Sequence, residues 1–282
     1  DEGVTGAALD DGFEPSSPRR KWLALTLNGI ADMERGDARK CHVCFQPGKD
    51  VVIAPPPGHT DVPSCAALRK LSAEDAAGDG ERPHRFFWAG RVVPGAHAAN
   101  PTFAAAANVR ETLLRLRAED PAFNASGFAV FDSARRGARV NATEYMLHSQ
   151  FCWAPPGQRY GDARRHLLAA FHGCIPVLTV PHGHHTFEEA LPWRQMALVV
   201  PPERLASLPS ILRDVTPADA RRMRDELRRL RQRLWYASIY GECGAAPAPP
   251  PAPEDAVSTG VLPDIDDAFA TLMRIFAQRL GR

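Results

Sequence analysis

The sequence predicts an α/β fold in which a parallel sheet is covered by helices on both faces. From residue 84 onward, short apolar runs alternate with stretches that repeat apolar residues at steps of three and four. The runs are apolar without interruption, which is typical of parallel strands buried on both sides. The chain has 282 residues, 44% of them hydrophobic. It therefore has enough apolar material for one large core or two smaller ones.

Five apolar runs mark the strands of this sheet. They lie at 86–88, 128–131, 151–153, 175–178 and 197–200. The helix predicted after the third strand places Leu167 and Phe171 on one face. A later helix begins at Thr216-Pro217, where a hydroxyl residue at the cap precedes proline in the first turn. Its many arginines favour a solvated helix face over a surface that binds polyanions.

The regions around the α/β domain differ in composition. We expect a loose lead-in at 1–20, a partial N-terminal portion with its linker at 21–82, the α/β domain at 83–244, a proline-rich linker at 245–262 and a helix at 263–282 that docks back. The partial portion carries a short predicted strand at 51–53. Because the chain starts at Asp1 without a signal-peptide pattern, we expect it to be a piece of a longer protein.

Charge and hydropathy argue against two partners for these residues, namely nucleic acid and the interior of a membrane. The 34 basic residues nearly balance the 33 acidic residues, so no overall basic field indicates nucleic acid. No apolar run approaches the ~20 residues that span a bilayer. Any anion must therefore be bound by local clusters of basic residues.

Six cysteines suit a secretory domain with one to three disulfides. Their pairing stays open, as does the alternative of free buried thiols. Cys41 and Cys44 have the spacing of a zinc knuckle, but no second pair follows them. Two sequons, Asn124-Ala-Ser126 and Asn141-Ala-Thr143, permit N-glycosylation if the chain enters the secretory pathway.

The loop after the third strand is the strongest candidate for ligand binding, because ligands of open parallel sheets bind beyond the carboxyl ends of the strands. This loop, 154–162, leads into a helix with Arg164, Arg165 and His166 in its first turn. Guanidinium groups and free backbone N–H groups there would bind a diphosphate. Arg91 and Arg110, after the first strand, could reach the same diphosphate or form exposed salt bridges instead.

A second candidate is the loop from Pro181 to Glu189, which contains three histidines and two carboxylates. It lacks the fixed spacing of helical metal ligands, so recognition of sugar hydroxyls by His185 or Glu188 is preferred to a metal site. Glu188 is the candidate general base for an acceptor hydroxyl. Cys174 is interpreted as a core residue and not as a nucleophile.

These motifs resemble those of the exostosin-like glycosyltransferases of family 47, most closely of the plant and algal type. The resemblance rests on Ser149-Gln-Phe-Cys-Trp-Ala-Pro-Pro-Gly157, Arg165 before Gly173-Cys-Ile-Pro-Val177, Phe187-Glu188 and Leu191-Pro-Trp193, with Phe86-Phe-Trp-Ala-Gly90 upstream. It covers residues 44 to 236. The resemblance implies a GT-B-like fold, in which the Rossmann-like, doubly wound C-terminal half binds the donor and 21–82 is a remnant of the acceptor half.

The resemblance also implies a function. Such enzymes invert the anomeric centre while they move a sugar from a nucleotide-sugar, here expected to be a UDP-sugar, to a glycan or glycoprotein acceptor. They are type II Golgi membrane proteins that act in the lumen, with the anchor here expected outside this chain. No cofactor is required; a divalent metal and a homo- or heterodimer with a related transferase stay open.

Ten residues are the candidate site. They are Gly90, Arg91, Arg110, Pro155, Gly157, Arg164, Arg165, His166, His185 and Glu188. The sequence departs from the family pattern at Leu168, where many members have a carboxylate suited to the ribose, and at Pro181 and Thr186 in the donor loop. A catalytically inactive scaffold or glycan-binding partner is therefore the alternative function.

Overall fold

The computed structural model describes most of the predicted α/β domain and its flanking elements. The described residues are 23, 25–26, 48–56, 62–63, 68, 82–92, 101–133, 140–157, 161–162, 164–179, 184–240 and 266–281. For 26, 101–108, 156–157 and 161–162 only the backbone is described. The predicted lead-in at 1–20, the predicted linker at 245–262 and Pro181 lie outside these residues.

The described elements follow one another in the predicted alternation. The strands are β1 (Leu25–Thr26), β2 (Val51–Val52), β3 (His84–Gly90), β4 (Phe128–Asp132), β5 (Ser149–Ala154), β6 (Pro156–Gly157), β7 (Gly161–Asp162), β8 (Ile175–Leu178) and β9 (Leu198–Val199). The α-helices are α1 (Pro101–Glu119), α2 (Pro121–Ala125), α3 (Ala142–Leu147), α4 (Arg165–Phe171), α5 (Trp193–Met196), α6 (Leu208–Asp214), α7 (Pro217–Arg231), α8 (Ala237–Tyr240) and α9 (Ala268–Arg279). Two 3₁₀ turns, Pro202–Ser207 and Gln232–Leu234, precede α6 and follow α7.

A parallel sheet forms the centre of the fold, and its strands match the five predicted runs. Its order is β4-β3-β5-β8-β9, and every neighbouring pair is parallel. The chain adds β4 on one side of β3 and then adds the later strands on the other side. The order therefore reverses between β3 and β5, as in doubly wound Rossmann-like folds. This confirms the predicted fold class.

Successive residues of the strands face opposite sides of the sheet, and each side has its own core. On β3, Phe86 and Trp88 join the larger cluster, which also contains residues of α1, α7 and α9. Phe87 faces the other side and packs with Cys152 and Met146. Burial on both sides explains why the strands are apolar without a period of two.

Cys152 of β5 forms a disulfide with Cys174, which precedes β8. The two strands are hydrogen-bonded neighbours, so the pairing follows from the sheet order. Both half-cystines are buried, in agreement with the interpretation of Cys174 as a core residue. The other four cysteines lie outside the described residues.

Helix α7 confirms the predicted start and clarifies the arginine-rich face. Thr216 caps it, since its hydroxyl accepts the Asp219 N–H at 3.1 Å. The arginines on the exposed side form ion pairs three residues along the helix. The pairs are Arg222 with Asp219, Arg228 with Asp225 and Arg229 with Glu226. Such pairing is typical of a solvated helix face.

The C-terminal helix α9 is bonded to the segment around β2. Asp267 caps the helix and is buried, accepting N–H groups of Ala270 and Ser238. At the other end, Arg279 donates to the carbonyl oxygens of Lys49 and Asp50 at 2.6 and 2.9 Å. These bonds join the end of α9 to the segment that leads into β2. Among the described residues, no helix combines the length and apolar composition needed to cross a membrane.

Candidate donor-binding site

A crevice is expected where the strand order reverses, beyond the carboxyl ends of β3 and β5. Strand β3 ends at Gly90 and β5 ends at Ala154. The segment after β5 includes buried Pro155 and then forms a short antiparallel pair, β6 with β7. This pair replaces the open loop predicted for 154–162 and lies against α1. The predicted residues Pro155 and Gly157 therefore lie just beyond the carboxyl end of β5, where a crevice is expected.

Arg165 extends from the start of α4 to the end of β3. Its Nη1 donates to the carbonyl oxygen of Ala89 at 2.7 Å. A methyl group placed on Gly90 would lie 3.2 Å from Arg165 Nη2 and 2.6 Å from Cζ2 of Trp88. Gly90 is thus required because the indole and the guanidinium group occupy the space of a side chain. The structure brings two predicted site residues together at this point.

Arg110, from α1, is a second cation near Arg165 and Trp88. It is buried, its Nη1 donates to the Arg91 carbonyl at 3.2 Å, and its guanidinium carbon lies 6.0 Å from the Trp88 ring centroid. Burial, reinforced by the positive charge of Arg165, lowers the pKa of Arg110 to about 10. Two guanidinium groups that repel one another favour an anion between or beside them. Arg91 itself is exposed, and its backbone positions Arg110.

We expect Gly90→Ala to impair both stability and anion binding. Overpacking a buried site of this kind costs about 1–3 kcal/mol, and the added methyl displaces Trp88 or Arg165. Chemical denaturation and calorimetry with UDP measure the two effects. Gly48→Ala is the control, because a methyl group there meets no atom within 4 Å and only the positive φ of 77° is strained. If both variants bind UDP with equal affinity, the assignment of Gly90 to the anion-binding site is contradicted.

The start of α4 is unusual in its backbone. Arg164 precedes the helix with a φ of 48°, a left-handed conformation that residues other than glycine rarely adopt, and its side chain makes no capping bond. The helix has seven residues, which is too short for its dipole to dominate. The guanidinium groups are therefore stronger candidates for anion binding than the helix terminus.

His166 is enclosed by protein. Its ring lies 5.1 Å from the ring of His185 and 5.0 Å from that of Trp193, and its Nε2 is 3.4 Å from the Thr186 hydroxyl. Burial, with the nearby charge of Arg164, lowers the pKa of His166 to about 3. The neutral ring joins α4 to the turn at 184–190. Its predicted contact with a donor stays a prediction.

Glu188 holds the turn at 184–190 together. Its Oε2 accepts the backbone N–H of His185 at 3.1 Å and lies 3.1 Å from Nδ1 of His184. The backbone N–H of Glu188 in turn donates to the His185 carbonyl at 3.0 Å. The carboxylate remains partly exposed. It can therefore still accept a proton from a hydroxyl, and its role as general base stays a prediction.

Phe187 anchors the same turn to the N-terminal part of the chain. It is buried, has a φ of 50° and donates its backbone N–H to the Val52 carbonyl of β2 at 2.8 Å. Trp193 fixes the other end through a 2.7 Å bond from its Nε1 to the Thr186 carbonyl. A bulky residue in the left-handed region is strained, and such strain is common at binding sites.

Two groups of predicted residues emerge from this geometry. Gly90, Arg110 and Arg165 lie together around Trp88 at the end of β3, whereas His166, His185 and Glu188 form a second cluster linked to them through α4. Trp88 was missed by the sequence reasoning, although it packs against Gly90 and Arg110. Its position two residues before Gly90, at the end of a predicted strand, could have identified it as a site residue.

Comparison with known proteins agrees with the fold and with the resemblance. The Exostosin GT47 domain family matches residues 16–215. Exostosin-2 from Bos taurus is 30% identical over 183 residues, covering 60% of this chain and 23% of that protein. A probable glycosyltransferase from Arabidopsis thaliana is 31% identical over 81 residues, which are 29% of this chain and 15% of its own.

An exostosin-1 homologue from Caenorhabditis elegans is 29% identical over 85 residues, covering 30% of this chain and 22% of that protein. The chain thus spans less than a quarter of each of these three relatives. The family match nevertheless covers more than half of the chain and includes Gly90, Arg110 and Arg165. The chain belongs to the exostosin GT47 family of glycosyltransferases.

Proposed function

We propose that this chain is the donor-binding part of an inverting glycosyltransferase and that its crevice binds the diphosphate of a nucleotide-sugar. The observation that carries the proposal is the convergence of Arg165 and buried Arg110 beside Gly90, at the point where the strand order reverses. Guanidinium groups bind phosphate oxygens in a bidentate manner. Backbone carbonyls at Ala89 and Arg91 hold both side chains in place before a ligand arrives.

The same two cations suit the chemical step. As the acceptor hydroxyl attacks the anomeric carbon, the bond from that carbon to the diphosphate oxygen breaks and negative charge grows on the diphosphate. Fixed positive groups stabilise this charge more than that of the bound donor. A base must accept the proton of the hydroxyl, and Glu188 is our candidate. The acceptor hydroxyl attacks the anomeric carbon on the face opposite to the leaving diphosphate, which inverts the anomeric configuration.

We further propose a lumenal, Golgi location with a membrane anchor in the full-length protein, and a glycan or glycoprotein acceptor. The disulfide between Cys152 and Cys174 supports an oxidising compartment, because cytosolic thiols are kept reduced. The family relation supports a nucleotide-sugar donor in general, and UDP-sugars are the first to test.

Arg165→Ala is expected to weaken UDP binding by ~1.5–3 kcal/mol, the range for a hydrogen bond to a charged group. Calorimetry with UDP, GDP and their sugar derivatives measures this. Arg222→Ala is the matched control, since Arg222 is exposed on α7 and pairs with Asp219 far along the chain from the crevice. A folded chain that binds no nucleotide at millimolar concentration would remove the transferase proposal for this segment.

One observation favours the alternative of an inactive homologue. Leu168 packs against the second core cluster and offers no carboxylate to a ribose. Hydrolysis of the donor distinguishes the two functions. An inverting transferase that uses water as the acceptor releases free sugar. The anomeric form of this sugar, observed first by NMR, should be opposite to that of the donor. Nucleotide binding without any release of sugar would instead support an inactive binding protein.

A further inference from the structure

A cavity outside the donor crevice lies over the second face of the sheet. Its volume is about 630 Å³, within the range of about 300–1,000 Å³ for ligand sites. It is lined by Pro83, His84, Phe131, Val140, Asn141 and Glu144, together with Tyr145 and His148. Aromatic rings and hydrogen-bonding side chains thus share one concave surface, a combination suited to a sugar ring.

Tyr145 is the centre of the aromatic wall. Its ring stacks on Phe87 with centroids 5.2 Å apart and an interplanar angle of 10°. His84 and Phe131 lie 5.1 and 4.9 Å from it. These three contacts restrict the orientation of the Tyr145 ring. The wall is therefore rigid, and a sugar that stacks on it loses little side-chain entropy from the protein.

Asn141 lies on the rim of this cavity and belongs to the sequon Asn141-Ala-Thr143. Both Asn141 and Thr143 are exposed. The Oδ1 atom of Asn141 accepts the Glu144 N–H, and Nδ2 donates to Glu144 Oε2, both at 3.3 Å. Because the amide nitrogen has two hydrogens, one can be replaced while the other keeps this bond and Oδ1 keeps capping helix α3.

We propose that Asn141 carries an N-linked glycan and that the first sugar residues of this glycan lie in the cavity. The proposal rests on the lumenal location proposed above. In the modification, Nδ2 forms a bond to the anomeric carbon of a lipid-diphosphate-linked oligosaccharide. The bond from that carbon to the diphosphate oxygen breaks, the lipid diphosphate leaves with the electron pair, and Nδ2 loses one proton.

The second sequon lacks this setting. Asn124 is exposed within helix α2, and the hydroxyl of Ser126 donates to the Ala122 carbonyl inside the same helix. Asn124 is not among the residues that line the cavity beside Tyr145. A glycan there would extend into solvent. The two sequons thus form an internal comparison between a glycan held by an aromatic wall and one that is not.

The test uses this chain fused to a signal peptide and secreted by eukaryotic cells, with an added terminal sequon to report arrival at the modifying enzyme. Enzymatic release in ¹⁸O-water, followed by mass spectrometry, identifies each modified asparagine. Thr143→Ala removes the sequon without changing the cap residue Asn141, and Thr143→Ser retains the sequon.

Trimming of the glycan is expected to lower Tm by about 2–4 °C, which corresponds to about 1 kcal/mol for a chain of this size. His84→Ala should reduce the difference in Tm between the glycosylated chain and the trimmed chain.

NMR provides a readout that does not depend on folding of the variants: nuclear Overhauser contacts between the Tyr145 ring and the first sugar are expected. An unmodified Asn141 in a chain whose terminal sequon is modified overturns the proposal, as does a modified Asn141 without ring contacts. The affinity for UDP is measured by calorimetry in parallel. Thr143→Ala should leave this affinity unchanged. Loss of UDP binding in the parent chain would reject the donor site while leaving the glycan result interpretable.

Discussion

Lowering the pH from 7 to 4 is expected to remove about 3 kcal/mol of stability through His166 alone. The folded protein holds this imidazole neutral with a pKa of about 3, against an ordinary value of 6.5. Below pH 6.5 the unfolded chain therefore binds a proton that the folded chain does not. The stabilisation is complete above pH 6.5 and is lost progressively as the pH falls towards 3. Urea denaturation at a series of pH values measures it.

The matched variant for this experiment is His166→Phe. A phenyl ring can retain the packing against His185 and Trp193 but does not titrate. The free energy of unfolding is plotted against pH for the parent and for this variant. The difference between the two slopes isolates the contribution of His166 from that of other acid-sensitive groups. Parallel curves for the two proteins between pH 7 and pH 4 would show that the ring is not held neutral in the folded state.

Replacing both Cys152 and Cys174 by alanine is expected to cost about 3 kcal/mol, the chain-entropy value for a disulfide that joins residues 22 positions apart. Both half-cystines are also buried in the second core cluster, so lost packing adds to this cost. Guanidinium denaturation under non-reducing conditions measures the change in the free energy of unfolding.

The denaturant slope separates the two causes of this loss. Without the cross-link the unfolded chain exposes more surface, so the m-value should rise in the double variant. Cys→Ser at both positions has the same effect on the unfolded chain but adds buried hydroxyls, and should be less stable than the alanine variant. An unchanged stability and an unchanged m-value in the alanine variant would contradict a structural role of the disulfide.

The sequence predicted the sheet well because burial on both faces leaves a simple signal. The runs at 86–88 and 151–153 became β3 and β5 with small changes at their ends, and Thr216 proved to be the cap of α7. Arg110 was named from sequence as well but lies in the middle of α1, whereas Gly90 ends β3 and Arg165 begins α4. The rule that ligands bind at the ends of strands and the starts of helices identified Gly90 and Arg165 without any knowledge of strand order.

Other features depend on contacts between distant segments and could not be predicted locally. The disulfide required that β5 and β8 be neighbours, which apolar runs do not specify. The burial of His166 required Trp193 and the turn at 184–190 to fold over α4. Likewise, the left-handed backbone of Phe187 has no sequence signature, since phenylalanine disfavours that conformation and its bond to the distant Val52 helps to maintain it.

The bonds from Arg279 to Lys49 and Asp50 impose an order on folding during synthesis. They join residues 230 and 229 positions apart, so they cannot form until helix α9 has left the ribosome. At a synthesis rate of about 5–20 residues per second, β2 emerges roughly ten to fifty seconds before its partner. During that interval the strands from β3 to β9 can pair. The contact of Phe187 with Val52 can therefore form first, and the bonds from α9 complete the attachment of the segment around β2 afterwards.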